Sequence, residues 1–391
     1  MRKIYIIFII LVFCILSLCC LKLFIAPFIW IGAILFSILF CVSLSIKSSA
    51  TKTIVYNMSF VIFALTIFEC YIFYQDTSMN YTYKGTYRSP DYIQYDDILG
   101  YCPQKNKKVI SAKYFKNKCL YDVEYTIDSN GLRISSPLVS SSTVAAAADD
   151  DDTQCILFFG GSFTFGEGVH DYESLPYQVA KKAIKQKFNV YNFSFHGYGP
   201  HQMLSALEHG LVAQIVECSN KTVIIYQAIK DHIFRAQGLR QWDKHGPAYE
   251  LDKDGHLIFS GHFDDNYLLP IRVIRQLEKS YTYQKLYSKQ NKITQKSLEL
   301  FIEIIKQSKM CAKKILLDIK FHVIFWDNVY CEPSLIKMLE QLEKNGIFIH
   351  FITNIITDVN TNKWNYFITD DGHPNSKAYS IISKYIYDEI L

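Results

Sequence analysis

The sequence predicts an α/β protein, with a parallel sheet covered by helices on both faces, carried behind an N-terminal membrane segment and a small β-containing extension. Three observations predict it. Residues 4–21, 24–46 and 54–74 are nearly unbroken apolar runs. From residue 153 onward, short apolar stretches that read as strands alternate with stretches of helical periodicity, the pattern of a sheet buried on both sides. Between these halves, residues 76–152 are rich in Tyr, Asn, Asp and Lys and carry short alternating pieces.

A helix of roughly 18 or more apolar residues crosses the ~30 Å hydrocarbon core of a bilayer, and all three runs are near or above that length. Residues 1–75 are therefore expected to form a three-helix anchor. Arg2 and Lys3 precede the first run and Lys47 and Lys52 separate the second from the third, whereas Lys22 alone marks the first hairpin. The positive-inside rule then places the N-terminus and the 47–52 loop in the cytoplasm and the chain from Asp76 onward on the outer side. In a bacterium this is a multi-pass inner-membrane protein with its polar part in the periplasm or at the cell exterior. A cleaved signal peptide ending near residue 22 also fits the charged start, but no A-x-A-like site follows it. Glu69, near the outer end of the third run, is expected as an edge residue that reaches the interface.

The formal net charge of +4 is too small to argue for a nucleic-acid partner. Five of the eleven cysteines lie in the apolar runs, where they serve as small hydrophobes. Among the six others, Cys102 and Cys119 are the pair closest in sequence within a loop-rich stretch, open either to a bridge or to two free thiols.

In the extension, residues 121–127 alternate as a strand and are followed by the turn signal Asp128-Ser129-Asn130-Gly131. Residues 140–152 (SSSTVAAAADDDD) read as an exposed flexible join whose acidic run is solvated rather than metal-binding. The main domain, residues 153–391, then reads as strands at 155–159, 189–195, 222–228, 321–326 and 347–352. Helical patterns fall at 175–187, 202–216, within 292–315, 333–344 and 375–390. An inserted hairpin occupies about 237–267, with turn signals at residues 244–247 and 252–255.

Ligands of such sheets sit at the carboxyl ends of the strands. There the first strand breaks into Gly160-Gly161-Ser162, a turn that can project a hydroxyl beside free backbone N–H groups. Glycine turns of this kind also cradle phosphate, but the Gly-Lys-Ser/Thr ending of a P-loop is missing. At the far end of the chain, Asp370-Asp371-Gly372-His373-Pro374-Asn375 lies between the last strand and the last helix. A serine nucleophile needs a base for its proton and a carboxylate to hold that base in the right tautomer, and His373 with Asp370 supplies both. Read alone, the same segment is an ordinary helix start with a capping Asn or Asp.

These residues carry a resemblance to the SGNH (GDSL-like) hydrolase superfamily, in its bacterial membrane-tethered members. Residues 159–169 (FGGSFTFGEGV) are similar to the serine block, 192–199 (NFSFHGYG) to the glycine block and 370–375 to the terminal Asp-x-x-His block. Residues 99–103 and 128–133 look like the pre-domain of the same subgroup, so the resemblance spans roughly 91–391. It implies a three-layer α/β/α, flavodoxin-like domain with Ser162 as nucleophile, His373 as base, Asp370 as its partner, and the N–H groups of Ser162 and Gly197 as oxyanion donors. Two positions depart from the family. Gly161 stands where Asp usually precedes the serine, and Ala228-Ile229-Lys230-Asp231 stands for Gly-x-Asn-Asp, which puts Lys230 in the place of the side-chain oxyanion donor. Lys230 replaces that donor as a cation, or Asp231, His232 and Arg235 face the cleft instead. His196 and His201 are further cleft candidates, whereas the second Asp-Gly-His, at 254–256, is read as a hairpin turn.

The expectation is a membrane-anchored serine ester hydrolase acting through an acyl-serine on a cell-envelope glycan or lipid ester, with no metal or organic cofactor implied. One alternative is acyl transfer to an envelope polysaccharide, as in the alginate-acetylating relatives of the superfamily. The other is a non-catalytic glycan-binding module.

Overall fold

The structure, a computed structural model, describes residues 27–80, 86–115, 118–136, 153–186, 188–265, 277, 280–287, 293–326 and 333–391. Its chain divides into two compact units, Met1–Tyr83 with Tyr267–Lys292, and Lys84–Asn266 with Ile293–Leu391.

In the first unit, α1 (Pro27–Ser45) and α2 (Ser49–Asn80) form a helical hairpin. Phe36 of α1 packs on Phe60 and Phe63 of α2, with ring centroids 6.1 and 4.8 Å apart. The stretches Phe28–Ser45 and Ser49–Gln75 are long and apolar enough to cross a bilayer, by length and composition. These are two of the three expected spans; the first run, 4–21, lies outside the described residues, as does the whole 140–152 join. The helix of the third run, Ser49–Asn80, extends past the expected 54–74 limits at both ends. Glu69 is not an exposed edge residue. Its buried carboxylate accepts the backbone N–H groups of Tyr281 and Thr282, at 2.6 and 3.0 Å, and the Ser280 hydroxyl at 2.8 Å. It thereby caps a short helix, Tyr281–Tyr287, at the end where a helix's first N–H groups lack acceptors within the helix itself. Residues 280–287 thus belong to the first unit, which no periodicity there announces.

The second unit begins with the extension: β1 (Thr86–Arg88), β2 (Ile93–Asp96), β3 (Gly100–Pro103), β4 (Lys107–Phe115) and β5 (Lys118–Ile127). They pair antiparallel as β1-β4-β5 and β2-β3. Cys102 on β3 and Cys119 on β5 are both free thiols.

The main sheet follows with β6 (Gln154–Gly160), α3 (Ser162–Phe165), α4 (Leu175–Ala183), β7 (Phe188–Asn192), α5 (Pro200–Glu208), α6 (Leu211–Ile215), β8 (Thr222–Ala228) and α7 (Asp231–Arg235). A hairpin of β9 (Pro247–Leu251) and β10 (Leu257–His262) precedes α8 (Gln295–Ile315), β11 (Ile319–Phe325), α9 (Pro333–Lys344), β12 (Phe348–Phe351), α10 (Ile352–Ile355) and α11 (Ser376–Glu389). The five parallel strands run in the order β12-β11-β8-β6-β7. Alternation decides the layers. Cys155, Leu157 and Phe159 of β6 face one core with residues of α5 and α8, while Ile156 and Phe158 face a second with residues of α4 and α11. The expected single helix over 202–216 is two, broken at Gly210, whose φ of +75° ends α5. Asn375 caps α11 by accepting the N–H of Ala378.

A third apolar cluster joins Tyr92, Val109, Tyr121, Val123, Tyr125 and Ile127 of the extension to Phe165, Phe195 and Tyr198, which follow β6 and β7. The extension is therefore packed against the carboxyl edge of the sheet, where the functional residues gather.

Candidate active site

Strand β6 ends at Gly160, and after the single residue Gly161, Ser162 opens α3. The N–H of a first helical residue has no acceptor within its helix, so this turn offers both a hydroxyl and a free donor. The loop behind it is fixed by Arg133, which is fully buried and donates to the carbonyls of Phe165, Gly166 and Val169 at 2.6–2.9 Å and to Asp171 at 2.8 Å. Arg133 ends the 128–133 pattern of the extension, so the extension holds the serine loop in place.

His373 reaches the same point from the other end of the chain. Its Nε2 is 2.8 Å from Ser162 Oγ, across 211 positions. Its Nδ1 is 2.6 Å from Asp371 Oδ2. An ionised carboxylate only accepts, so Nδ1 carries the ring proton and Nε2 is the acceptor for the serine hydroxyl.

The carboxylate is Asp371, where the sequence pointed to Asp370. Ile368 and His373 bond across a tight turn, and the turn puts Asp370 at φ +63° with its side chain exposed. Asp371 faces inward, accepts the N–H of His373 at 3.1 Å as well, and is paired with Lys113 of β4. Burial works against its charge, but the bond to His373 and the charges of His373 and Lys113 overcome this and hold its pKa below the ordinary carboxylate range.

A cavity of about 590 Å³ opens over the serine, lined by Ser162, His373 and Gly197 together with Arg235, Tyr101 and Trp242. Gly197 has φ +77°, and a Cβ there would lie 2.6 Å from both Tyr101 Oη and Trp242 Nε1, so only glycine fits. Gly197 and Ser162 line the same cavity. Lys230 does not take the place expected of it. It is exposed at the start of α7 and is not among the described residues that line the cavity. Arg235, one turn further on, lines it instead: α7 turns Lys230 outward and brings Arg235 in. The departure at Gly161 is linked to this, because a Cβ at that position would lie 2.6 Å from Arg235 Nη1 and 2.9 Å from the Tyr198 carbonyl. Arg235 Nη1 donates to that carbonyl at 2.7 Å and its Nε donates to Asp231 at 2.8 Å.

Asp231 is thus a partner of Arg235 and Arg240 outside the cavity lining. His232 is buried below Gly161, with Nδ1 2.6 Å from the Tyr226 hydroxyl. Burial, Arg235 and His201 hold its pKa well below the ordinary value, so it is neutral. His201 is buried away from the cavity, 2.7 Å from Asp243. His196 lines the cavity, with Nδ1 2.6 Å from Glu167 Oε2 and Nε2 3.1 Å from Tyr92 Oη. Asp254 and His256 lie in the exposed β9–β10 turn, where Asp252 accepts their N–H groups.

Sequence reading missed Glu167, Arg88 and Lys113. Glu167 lies inside the quoted serine block, five positions after Ser162, and its acidic type in an otherwise apolar, glycine-bearing run was the available signal. Nothing in the sequence marks Arg88 or Lys113.

No family model matches the sequence, and no curated protein matches it. Solved structures are similar to part of the chain. A member of the lipolytic protein G-D-S-L family from Veillonella parvula is similar at 11% identity and a TM-score of 0.35, covering 61% of this chain and 98% of its own. A psychrotrophic esterase from a Pseudoalteromonas species is similar at 15% identity and 0.34, covering 60% of this chain and 96% of its own. An acetyl xylan esterase from the rumen bacterium Butyrivibrio proteoclasticus is similar at 11% identity and 0.33, covering 61% and 63%. No residue role is carried over from them; the roles below rest on geometry.

Proposed function

We propose that this chain is a membrane-anchored serine ester hydrolase. One observation supports it above the rest: Ser162 Oγ, His373 and Asp371 form a continuous hydrogen-bonded relay, at 2.8 and 2.6 Å, at the wall of an open cavity. In the reaction, His373 Nε2 takes the Ser162 proton as Oγ attacks the ester carbonyl. The N–H groups of Ser162 and Gly197 face the oxygen that becomes negative. The protonated ring passes its proton to the leaving alcohol, and water, activated by the same ring, releases the acyl group from Ser162. Asp371 stays ionised throughout and keeps Nδ1–H bonded.

Exposed aromatic rings at the cavity wall, Tyr95 and Trp242, suit the flat face of a sugar, and Arg235 beside Trp242 adds polar donors. The substrate is therefore read as an acylated glycan of the cell envelope, with α1 and α2 as the membrane anchor. The same wall supports the second reading, transfer of the acyl group to a glycan hydroxyl in place of water. Full-length protein in detergent, given p-nitrophenyl acetate with and without a glycan acceptor, tests both. Ester cleavage that Ser162→Ala abolishes supports the enzyme. Free acetate alone means hydrolysis, and acetylated acceptor means transfer. Cleavage that persists in Ser162→Ala, or never occurs, rejects the proposal.

A further inference from the structure

The His373 ring lies between two carboxylates, and each is tied to a cation from the same small sheet. On one side Asp371 is bonded to Nδ1 and paired with Lys113 of β4. On the other, Glu167 Oε2 stands 3.7 Å from Nε2, the nitrogen that faces Ser162, while Glu167 Oε1 takes a bond from Arg88 of β1 at 2.8 Å. In the β1–β4 pair, Thr86 stands opposite Lys113 and Arg88 opposite Ser111, so Arg88 and Lys113 project from one face. Glu167 is buried and lines the cavity. The Nδ1–H of His196 donates to it at 2.6 Å and the Tyr121 hydroxyl at 3.2 Å. His196 is itself neutral, its pKa pushed down to about 4, chiefly by burial. Burial alone would also discharge Glu167, but His196, His373 and Arg88 hold its pKa well below the ordinary carboxylate range.

We propose that Glu167 is a positioning residue that acts on His373 from the side opposite Asp371, and that Arg88 and Lys113 make the extension part of the catalytic apparatus by clamping both carboxylates. The inference rests on the reading of Ser162 and His373 as nucleophile and base. The ring becomes an imidazolium when it takes the serine proton, and a carboxylate beside Nε2 favours that charged form. The proton still travels from Ser162 Oγ to Nε2 and on to the leaving alcohol; Glu167 remains ionised and takes no proton. Its effect is to keep the charged ring oriented into the cavity.

The charged and titratable groups around the ring and its two carboxylates are Asp371, Lys113, Glu167, Arg88, His196 and Tyr121. The test follows the His373 ring by NMR through pH, in full-length protein in detergent carrying carbon-13 at histidine Cε1, with His373→Asn to assign the signal. Glu167→Gln removes a negative charge and is expected to lower the ring's titration midpoint by roughly one pH unit. Lys113→Met leaves Asp371 unopposed and is expected to raise it, and Glu167→Asp is expected to stay near the wild type. The acid limb of fluorophosphonate labelling moves the same way, to lower pH in Glu167→Gln and to higher pH in Lys113→Met. A folded Glu167→Gln protein with an unmoved midpoint, or two variants that shift in the same direction, overturns the proposal. Should Glu167→Gln fail to fold, Arg88→Met is read in its place, where a raised midpoint supports the proposal and an unmoved one overturns it. The ring is observed without turnover. A wild type that never labels would therefore reject the nucleophile reading and leave the Glu167 result standing.

Discussion

Asp371 is buried against His373 and Lys113, while its neighbour Asp370 stands exposed at φ +63°. The terminal motif was legible as a motif, but which of two adjacent carboxylates turns inward is set by the Ile368–His373 turn, and no spacing rule reveals that. The difference is measurable. Asp371→Asn is expected to lower ester turnover by about 10³–10⁴-fold, because an amide in place of the carboxylate favours the wrong ring tautomer. Asp370→Asn is expected to leave turnover within a few fold, and steady-state rates of the two variants check this. In the third block two readings were open, Lys230 in register with the family's donor or Asp231, His232 and Arg235 facing the cleft, and of these residues Arg235 lines the cavity. The absence of a side chain at Gly161 leaves the space beside the Arg235 guanidinium.

Strands and helices of the main sheet were the most legible part, because their signals are local. Residues 222–228 form β8 as expected, and the cores on its two faces follow from alternation. Less visible were the elements whose roles depend on distant partners. The packing of residues 280–287 in the first unit and the Glu69 cap have no periodic signature. Arg133 is the clearest case at this scale, a fully buried cation whose partners are the carbonyls of the serine loop and Asp171. Removing it leaves those groups buried without a donor, so Arg133→Ala is expected to cost about 3–5 kcal/mol, read from denaturant unfolding of the second unit. An Arg133→Ala protein as stable as the wild type would show that the extension does not brace the serine loop.

At the scale of the molecule, buried titratable groups set how stability depends on pH. The pKa of His196 falls to about 4 and that of His322 to about 3, both chiefly through burial, and His232 is lowered as well. An unfolded chain binds protons at such rings below about pH 6.5 while the folded chain does not, so the folded state loses stability as pH falls from about 6.5 toward 4. Glu167 and Asp371 have depressed values. Their contribution is present above the ordinary carboxylate pKa and is lost as pH falls through the lower, folded value. Both effects have one sign, and thermal unfolding from pH 8 to 4 is expected to show a steady fall with no maximum on the acid side. A maximum near pH 5 would contradict the burial of these groups.

The central claim is that His373 activates Ser162, and covalent labelling with a fluorophosphonate, located by mass spectrometry of the full-length protein, tests it most directly. One adduct is expected, on Ser162, that forms in the wild type and is absent or slower by orders of magnitude in His373→Ala. An adduct on another serine, or equal labelling of Ser162 with and without the imidazole, would contradict it.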